Sequence, residues 1–269
     1  MKKITGVIIF LLVQTLMYAQ VGDSNLILNL PFNGSALDET GNLNNGSVYG
    51  PQLTTYRFGQ DNSAYYFDGI DDYISIENNT LNPSSSLTFS FWFSPSEDWD
   101  DKTSHKIFFQ SDGAGDNSGD FIITMNRTNC YSFPSTDDGK VNFELQGDFV
   151  NGNSANCPSL GTTRVSSIIN TWEENEWYNI SLVLDKGEMK IYVNGNIKNV
   201  QQTTSKVFIK GQTIVLGRYF SPQHLSLFKV KIDDVQIYDT VLSESEILYL
   251  YTGSTANDKT ASLDLDFKV

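Results

Sequence analysis

The segment Glu176–Asn196, EWYNISLVLDKGEMKIYVNGN, decides the fold. Apolar side chains alternate with polar ones on both sides of its centre, which is typical of strands with one buried face. The alternating apolar positions are Tyr178, Ile180, Leu182 and Leu184 before the centre, and Met189, Ile191 and Val193 after it. The central DKGE is a turn sequence, because its glycine accepts backbone angles that other residues avoid. The segment therefore predicts an antiparallel β-hairpin.

The same alternation recurs at short intervals along the chain. SLTFSFWFSP (86–95) places its Leu and three Phe residues on one face, and AYYFDGIDDYISIE (64–77) reads as two short strands around an Asp-Gly turn. Further strand-like segments are SNLILNLPFNG, KIFFQ, DFIITMN, KVNFEL, QTIVLGRY and VKIDDVQIYD. Many short strands with turn signals between them predict an all-β fold, a two-sheet antiparallel jelly-roll sandwich.

One short C-terminal helix is predicted in LSESEILYLYTG (242–253). Ser243 is its N-cap, Glu246 completes a capping box, and Gly253 lies at the position of a C′ glycine.

The N-terminus has the pattern of a secretory signal peptide. Lys2 and Lys3 precede an apolar run that begins at Val7, and small Ala19 lies near the expected cleavage site. An uncleaved anchor is the alternative, but the apolar run is too short to span a bilayer. The predicted organisation is a signal peptide (1–20) cleaved near Ala19 or Gln20, one domain (21–253), and a polar linker with a terminal strand or stub (254–269). The mature protein is expected outside the cell or on its surface.

Charge excludes several classes of partner. The formal net charge is −14, and removing Lys2 and Lys3 with the signal peptide makes it −16. We therefore expect binding neither to nucleic acid nor to an anionic membrane, whereas divalent cations suit such a chain. Membrane insertion is not expected either, because no segment after the signal peptide is long and apolar enough to span a bilayer. The sequence does not fix the oligomeric state.

The two cysteines, Cys130 and Cys157, lie in a region rich in Gly, Asn and Ser. In an oxidising compartment they are expected to form a disulfide that closes a long loop. Two free thiols are the alternative.

A pair of aspartates begins the strand-like segment KIDDVQIYD. Val235 and Ile237 point to one face after Asp233 and Asp234, and Gln236 and Tyr238 point to the other. Because strands normally avoid Asp, the pair is either a solvated turn or the partner of a positive group.

Four blocks in this order resemble the laminin G-like, pentraxin-related jelly rolls of the concanavalin A-like lectin/glucanase fold. They are LPFNGSALDETGNLNNGS, RFGQDNSAYYFDGIDDYISI, EWYNISLVLDKGEMKIYVNGN and IDDVQIYDTVLSESEI. The resemblance implies an exported module that binds carbohydrate or protein, in many members with calcium.

The resemblance also implies a structural calcium ion between the loop after the first strand and the closing strand. Its ligands would come from the loop and the aspartate pair: Asp38, Asn44, Asn45, Gly46, Asp233 and Asp234. Calcium takes six to eight oxygen ligands in a flexible geometry. The alternative is an acidic turn bound by water.

A second oxygen-rich loop, SDGAGDNSGDF, contains Asp112, Asp116, Asn117 and Asp120. Pentraxins bind a ligand-contacting calcium through a comparable loop, but they also need acids after a later LG. Here LGRYFSPQHLS has no acid there, so a solvated loop is the favoured interpretation.

Catalytic motifs are missing from the sequence. Retaining hydrolases of this fold carry E-x-D-x-x-E on a strand, whereas Glu173, Glu174 and Glu176 lie in a turn-like segment. The chain has only two His, His105 and His224, for a triad.

We therefore expect a non-catalytic module that binds the carbohydrate of a polysaccharide or glycoprotein. Sugars stack on exposed aromatic rings, so the loop aromatics Trp99, Tyr131, Tyr219 and Phe220 are candidate ligand contacts, and Arg218 is a candidate donor. Core packing is the alternative for each aromatic. The rival functions are an adhesion module for proteins and a divergent polysaccharide hydrolase or lyase.

Overall fold

A computed structural model of the chain describes residues 23–77, 86–96, 106–112, 121–125, 139–146, 162–203, 213–218 and 229–253. These residues form two antiparallel sheets, one 3-10 turn at Asp23–Asn25 and one α-helix. Within them, no helix combines the length and hydropathy needed to span a bilayer.

The two sheets are sheet A and sheet B. Sheet A has the spatial order β13 (Asn196–Gln202), β12 (Glu188–Val193), β11 (Tyr178–Asp185), β6 (Ser86–Pro95), β15 (Lys229–Tyr238), β4 (Ala64–Asp68) and β3 (Gln52–Thr54), and β1 (Leu26–Leu30) also pairs with β15. Sheet B has the order β10 (Thr162–Ser166), β9 (Val141–Gln146), β8 (Phe121–Met125), β7 (Lys106–Asp112), β14 (Thr213–Leu216), β5 (Tyr73–Glu77) and β2 (Gly46–Tyr49). The predicted jelly-roll sandwich is confirmed.

Apolar side chains from both sheets form one core between them. The Phe residues of β6 pack edge-on against Phe109 of β7, with ring centroids 4.8 Å apart for Phe89 and 4.7 Å apart for Phe91. Such T-shaped contacts add to the hydrophobic stabilisation from burial. The core fixes which side chains of each strand face outward.

The predicted hairpin is present as β11 and β12, with Leu182 opposite Ile191. The segment 64–77 differs from the prediction. Its two strands, β4 and β5, pair with other strands in different sheets, so the turn between them crosses from sheet A to sheet B. Alternation places a strand but does not reveal the strand with which it pairs.

The residues of β15 that face the core change from even-numbered to odd-numbered positions in the middle of the strand. Ile232 faces the core before the aspartate pair, and Val235 faces it afterwards. The pairing with β6 has a bulge between Asp233 and Gln236, and Asp234 has a positive φ of 44°. Asp tolerates this left-handed conformation better than most residues, so the pair marks a β-bulge.

The helix α1 (Glu244–Thr252) has the predicted capping box, in which Ser243 and Glu246 bond each other's backbone N–H. Gly253 is the C-cap with a φ of −104°, so it does not use the left-handed conformation expected of a C′ glycine. Ile247 and Leu250 pack the helix on the outer face of sheet A.

Candidate functional site

Arg57 is the positive partner of the aspartate pair. Its Nη1 lies 2.8 Å from Asp233 Oδ2, and its Nη2 lies 2.6 Å from Asp234 Oδ2. Consecutive residues of a regular strand point to opposite faces, so the bulge is what turns both carboxylates toward one guanidinium. The two nitrogens of Arg bind such acceptors in a fixed fork.

Aromatic rings enclose this ion pair on the outer face of sheet A. The Arg57 guanidinium lies 4.3 Å from the ring centroid of Trp92 and 5.0 Å from that of Phe58. Trp92 stacks in turn on Tyr251 of α1 at 5.7 Å. The Arg57 side chain is only 4% exposed, so these contacts bury the charge and link the β3–β4 connection to the helix.

Burial changes the acidity of the pair. Removal from water, reinforced by the charge of Asp234, raises the pKa of Asp233 well above its ordinary value, and Arg57 opposes that rise. The pKa of Asp234 is also raised by burial. One guanidinium therefore balances two carboxylates.

Asp38 organises the loop after β1. Its carboxylate accepts hydrogen bonds from the backbone N–H of Asn29, Thr40 and Asn44, and from the Thr40 hydroxyl. Asn45 accepts the Asp38 N–H through Oδ1 at 2.9 Å. These bonds hold the loop against β1, which itself pairs with β15.

The calcium ligands implied by the resemblance lie in two separate hydrogen-bond networks. Asp38 and Asn45 belong to the loop network, Asn44 donates its N–H to Asp38, and Gly46 donates its N–H to Ala36. Asp233 and Asp234 bind Arg57. In this arrangement the residues do not fit a calcium ion, because internal donors hold the carboxylate oxygens and Arg57 repels a cation. Melting in calcium and in chelator tests whether an ion nevertheless binds here.

Three carboxylates meet at the turn between β4 and β5. Oxygen atoms of Asp68, Asp71 and Asp72 lie within 4.8 Å of one another, and no other such cluster occurs in the described ranges. Asp72 accepts the Asp68 N–H at 2.8 Å. Burial, the largest cause, raises the pKa of Asp72, and the charges of Asp68 and Asp71 add to the rise.

A stack of two tyrosines and one arginine crosses the edge of sheet B. Tyr49 of the edge strand β2 lies opposite Tyr73 of β5, and their rings stack at 4.5 Å with planes 9° apart. The Arg218 guanidinium lies 3.4 Å from the Tyr73 ring centroid. Two groups this close to one ring occupy its opposite faces, so the order is Arg218, Tyr73, Tyr49. We call these three residues the tyrosine stack.

The tyrosine stack lies beside a row of mostly polar side chains on the outer face of sheet B. Pairing places one row of side chains across all seven strands: Ser47, Ser75, Val215, Gln110, Ile122, Glu144 and Arg164. Their strand neighbours, such as Ile74 and Leu145, face the core. Ser47 is exposed, whereas Gln110 and Glu144 are buried. Ser47, the exposed member of the row, therefore lies beside Tyr49, whereas Arg164 at the opposite edge is half-buried.

Of the predicted ligand contacts, the described residues include only Arg218, which lies in the tyrosine stack. Trp99, Tyr131, Tyr219, Phe220, Asp116, Asn117, Asp120, Cys130, Cys157, His105 and His224 lie outside the described residues, as do the signal peptide and the tail. Asp112 ends β7, and its side chain is also outside the description. Glu173, Glu174 and Glu176 are exposed before β11.

Sequence reasoning missed Arg57, Tyr49 and Tyr73. Arg57 stands between two aromatic residues in TTYRFGQ, which is the available signal for a buried cation. Tyr49 and Tyr73 give no signal, because their contact depends on the register of two strands.

Two solved binding domains have a similar fold. The ligand-binding domain of botulinum neurotoxin serotype D in complex with N-acetylneuraminic acid is 20% identical with a TM-score of 0.63, and the match covers 86% of this chain and 52% of that one. The binding domain of Paraclostridial Mosquitocidal Protein 1 is 18% identical with a TM-score of 0.65 and the same coverage. The chain thus spans about half of these structures, and the likeness concerns the fold alone. No curated protein has a matching sequence.

A family profile matches residues 67–248, which is more than half of the 269-residue chain. The profile is the laminin G type described as "Concanavalin A-like lectin/glucanases superfamily". Its range begins in β4 and ends in α1, so it includes strands of both sheets, whereas β1, β2 and β3 precede it. The chain belongs to the concanavalin A-like lectin/glucanases superfamily.

Proposed function

We propose that this protein is an exported, non-catalytic module that binds carbohydrate through the tyrosine stack. The observation that carries the proposal is the ring of Tyr49, which is 49% exposed although one face is covered by Tyr73. A flat ring that is held by a neighbour and open on its other side suits the apolar C–H face of a pyranose.

Pre-organisation supports the same function. Tyr73 is held between Tyr49 and Arg218, so the rings are already stacked before any ligand arrives. A contact that is ordered in advance loses less conformational entropy on binding. The exposed Ser47 hydroxyl beside the stack adds a hydrogen-bonding group for sugar hydroxyls.

The comparisons support binding over catalysis at the level of fold. The matched toxin structures are described as binding domains, and one is in complex with a sugar. The superfamily also takes its name from glucanases, so activity needs a direct test.

A glycan array with the purified mature protein tests the proposal. We expect binding to a subset of glycans, with no release of reducing ends or unsaturated products from bound polysaccharides. No binding to any glycan would contradict the carbohydrate function. Product release that is lost on mutation of a single carboxylate would contradict the non-catalytic function.

A further inference from the structure

Resting on the proposed function, we propose that the tyrosine stack selects uncharged glycans and rejects acidic ones. The inference concerns the chemical class of the sugar, and three observations on the described residues carry it. They are the charges around Tyr49, the position of Arg218, and the ion pairs that Arg57 forms with Asp233 and Asp234.

Residues 23–77 include β2 and β5, the two strands at the edge of sheet B that carries Tyr49, and the segment is strongly acidic. They contain one basic side chain, Arg57, and eight acidic ones: Asp23, Asp38, Glu39, Asp61, Asp68, Asp71, Asp72 and Glu77. Both strands of the edge, β2 and β5, lack Lys and Arg. A carboxylate or sulfate on a ligand here would meet like charge, which lowers affinity.

The nearest of these carboxylates lie at one end of the tyrosine stack. Asp72 directly precedes Tyr73, and its Oδ1 lies so close to Gly50 that a Cβ there would be 1.9 Å away. Gly50 in turn follows Tyr49. Asp71 is exposed at the same turn. The exposed Asp71 carboxylate can accept hydrogen bonds from the hydroxyls of a neutral sugar.

Of the three arginines among the described residues, Arg164 lies on the opposite edge strand of sheet B, and the other two face away from the open ring of Tyr49. Arg218 lies on the face of Tyr73 opposite Tyr49, so both rings separate its guanidinium from a sugar on the open face of Tyr49. Arg57 binds Asp233 and Asp234 on sheet A. Within the described part of the chain, neither arginine faces the open ring, so an acidic sugar finds no arginine fork there.

The test uses matched oligosaccharides, each neutral glycan bound by the protein being paired with its sialylated or sulfated form. We expect the neutral member to bind at least about tenfold more tightly at low salt, and the difference to shrink at about 0.5 M NaCl, where surface charges are screened. Asp71→Asn should reduce the difference. Glu174→Gln removes the same charge from the exposed turn before β11 and should leave it unchanged.

The outcomes separate the two proposals. Equal or tighter binding of the acidic member, lost in Tyr49→Ala, would overturn the charge selectivity and leave the carbohydrate function in place. Binding that Tyr49→Ala does not change would show that sugars bind elsewhere and would overturn both. A neutral preference that needs Tyr49 and weakens in Asp71→Asn would support both.

Discussion

Arg57 joins parts of the chain that are far apart in sequence. Its guanidinium contacts the aspartates of β15 and the ring of Trp92 in β6, while its backbone belongs to the connection between β3 and β4. A buried ion pair adds little net stability compared with apolar packing, but removing one partner leaves the other charge buried and unpaired. Arg57 is therefore a position where a single substitution has a large effect.

We predict that Arg57→Met lowers the free energy of unfolding by about 3 kcal/mol, because two carboxylates lose the guanidinium that binds both of them. Urea unfolding followed by fluorescence measures the change. Arg57→Lys keeps the charge but loses the fork, so it should lie between the variant and the wild type.

A double variant measures the energetic coupling between Arg57 and Asp233. Arg57→Met combined with Asp233→Asn should lose less stability than the sum of the two single variants, because the second change removes a charge that the first left unpaired. A loss below about 0.5 kcal/mol for Arg57→Met alone, the range of ordinary surface substitutions, would contradict this role.

Asp72 should make stability depend on pH. Its folded-state pKa is raised by burial, so the folded state keeps the proton after the unfolded chain has lost it. Stability is then highest below the ordinary carboxyl pKa and falls as pH rises through the raised value. We predict that Asp72→Asn becomes progressively more stable relative to the wild type as pH rises from about 3 to about 7.

Urea unfolding of both proteins across this pH range measures the trend. Glu174→Gln, which removes an exposed charge from the turn before β11, controls for the change in net charge. A stability difference between Asp72→Asn and the wild type that stays constant with pH would show that Asp72 is not the group responsible.

The bulge in β15 determines which side chains of this strand face the core and which face the β3–β4 connection. It shifts the core-facing positions by one residue and turns Asp233 and Asp234 toward the β3–β4 connection. Arg57 thereby binds β15 to the β3–β4 connection, while hydrogen bonds to Asp38 hold the loop after β1. Neither set of contacts requires a metal ion.

We therefore predict the same melting temperature in calcium and in chelator. A ligand that binds only the folded state raises the melting temperature in proportion to its binding free energy, so calorimetry in each solution is a direct comparison. A rise in calcium that Asp38→Ala or Asp233→Ala removes would instead support the calcium site implied by the resemblance.

Much of the whole sandwich can be predicted from the sequence. Alternation in β6, β11 and β12 and the capping box of α1 are local patterns, and each appears as expected. The partner of each strand is not local, which is why the β4–β5 segment looked like a hairpin. The tyrosine stack and the Arg57 pair depend on register and on a bulge, and single-sequence patterns contain neither.

Binding of carbohydrate by the tyrosine stack is the central claim for the molecule, and one titration tests it directly. Isothermal titration of the neutral glycan that binds best would compare the wild type with Tyr49→Ala and Phe58→Ala. Phe58 is a matched control, because it is 50% exposed, like Tyr49 at 49%, but lies beside Arg57. We predict a loss of about 1–3 kcal/mol for Tyr49→Ala and unchanged affinity for Phe58→Ala. Wild-type affinity in Tyr49→Ala would contradict the account.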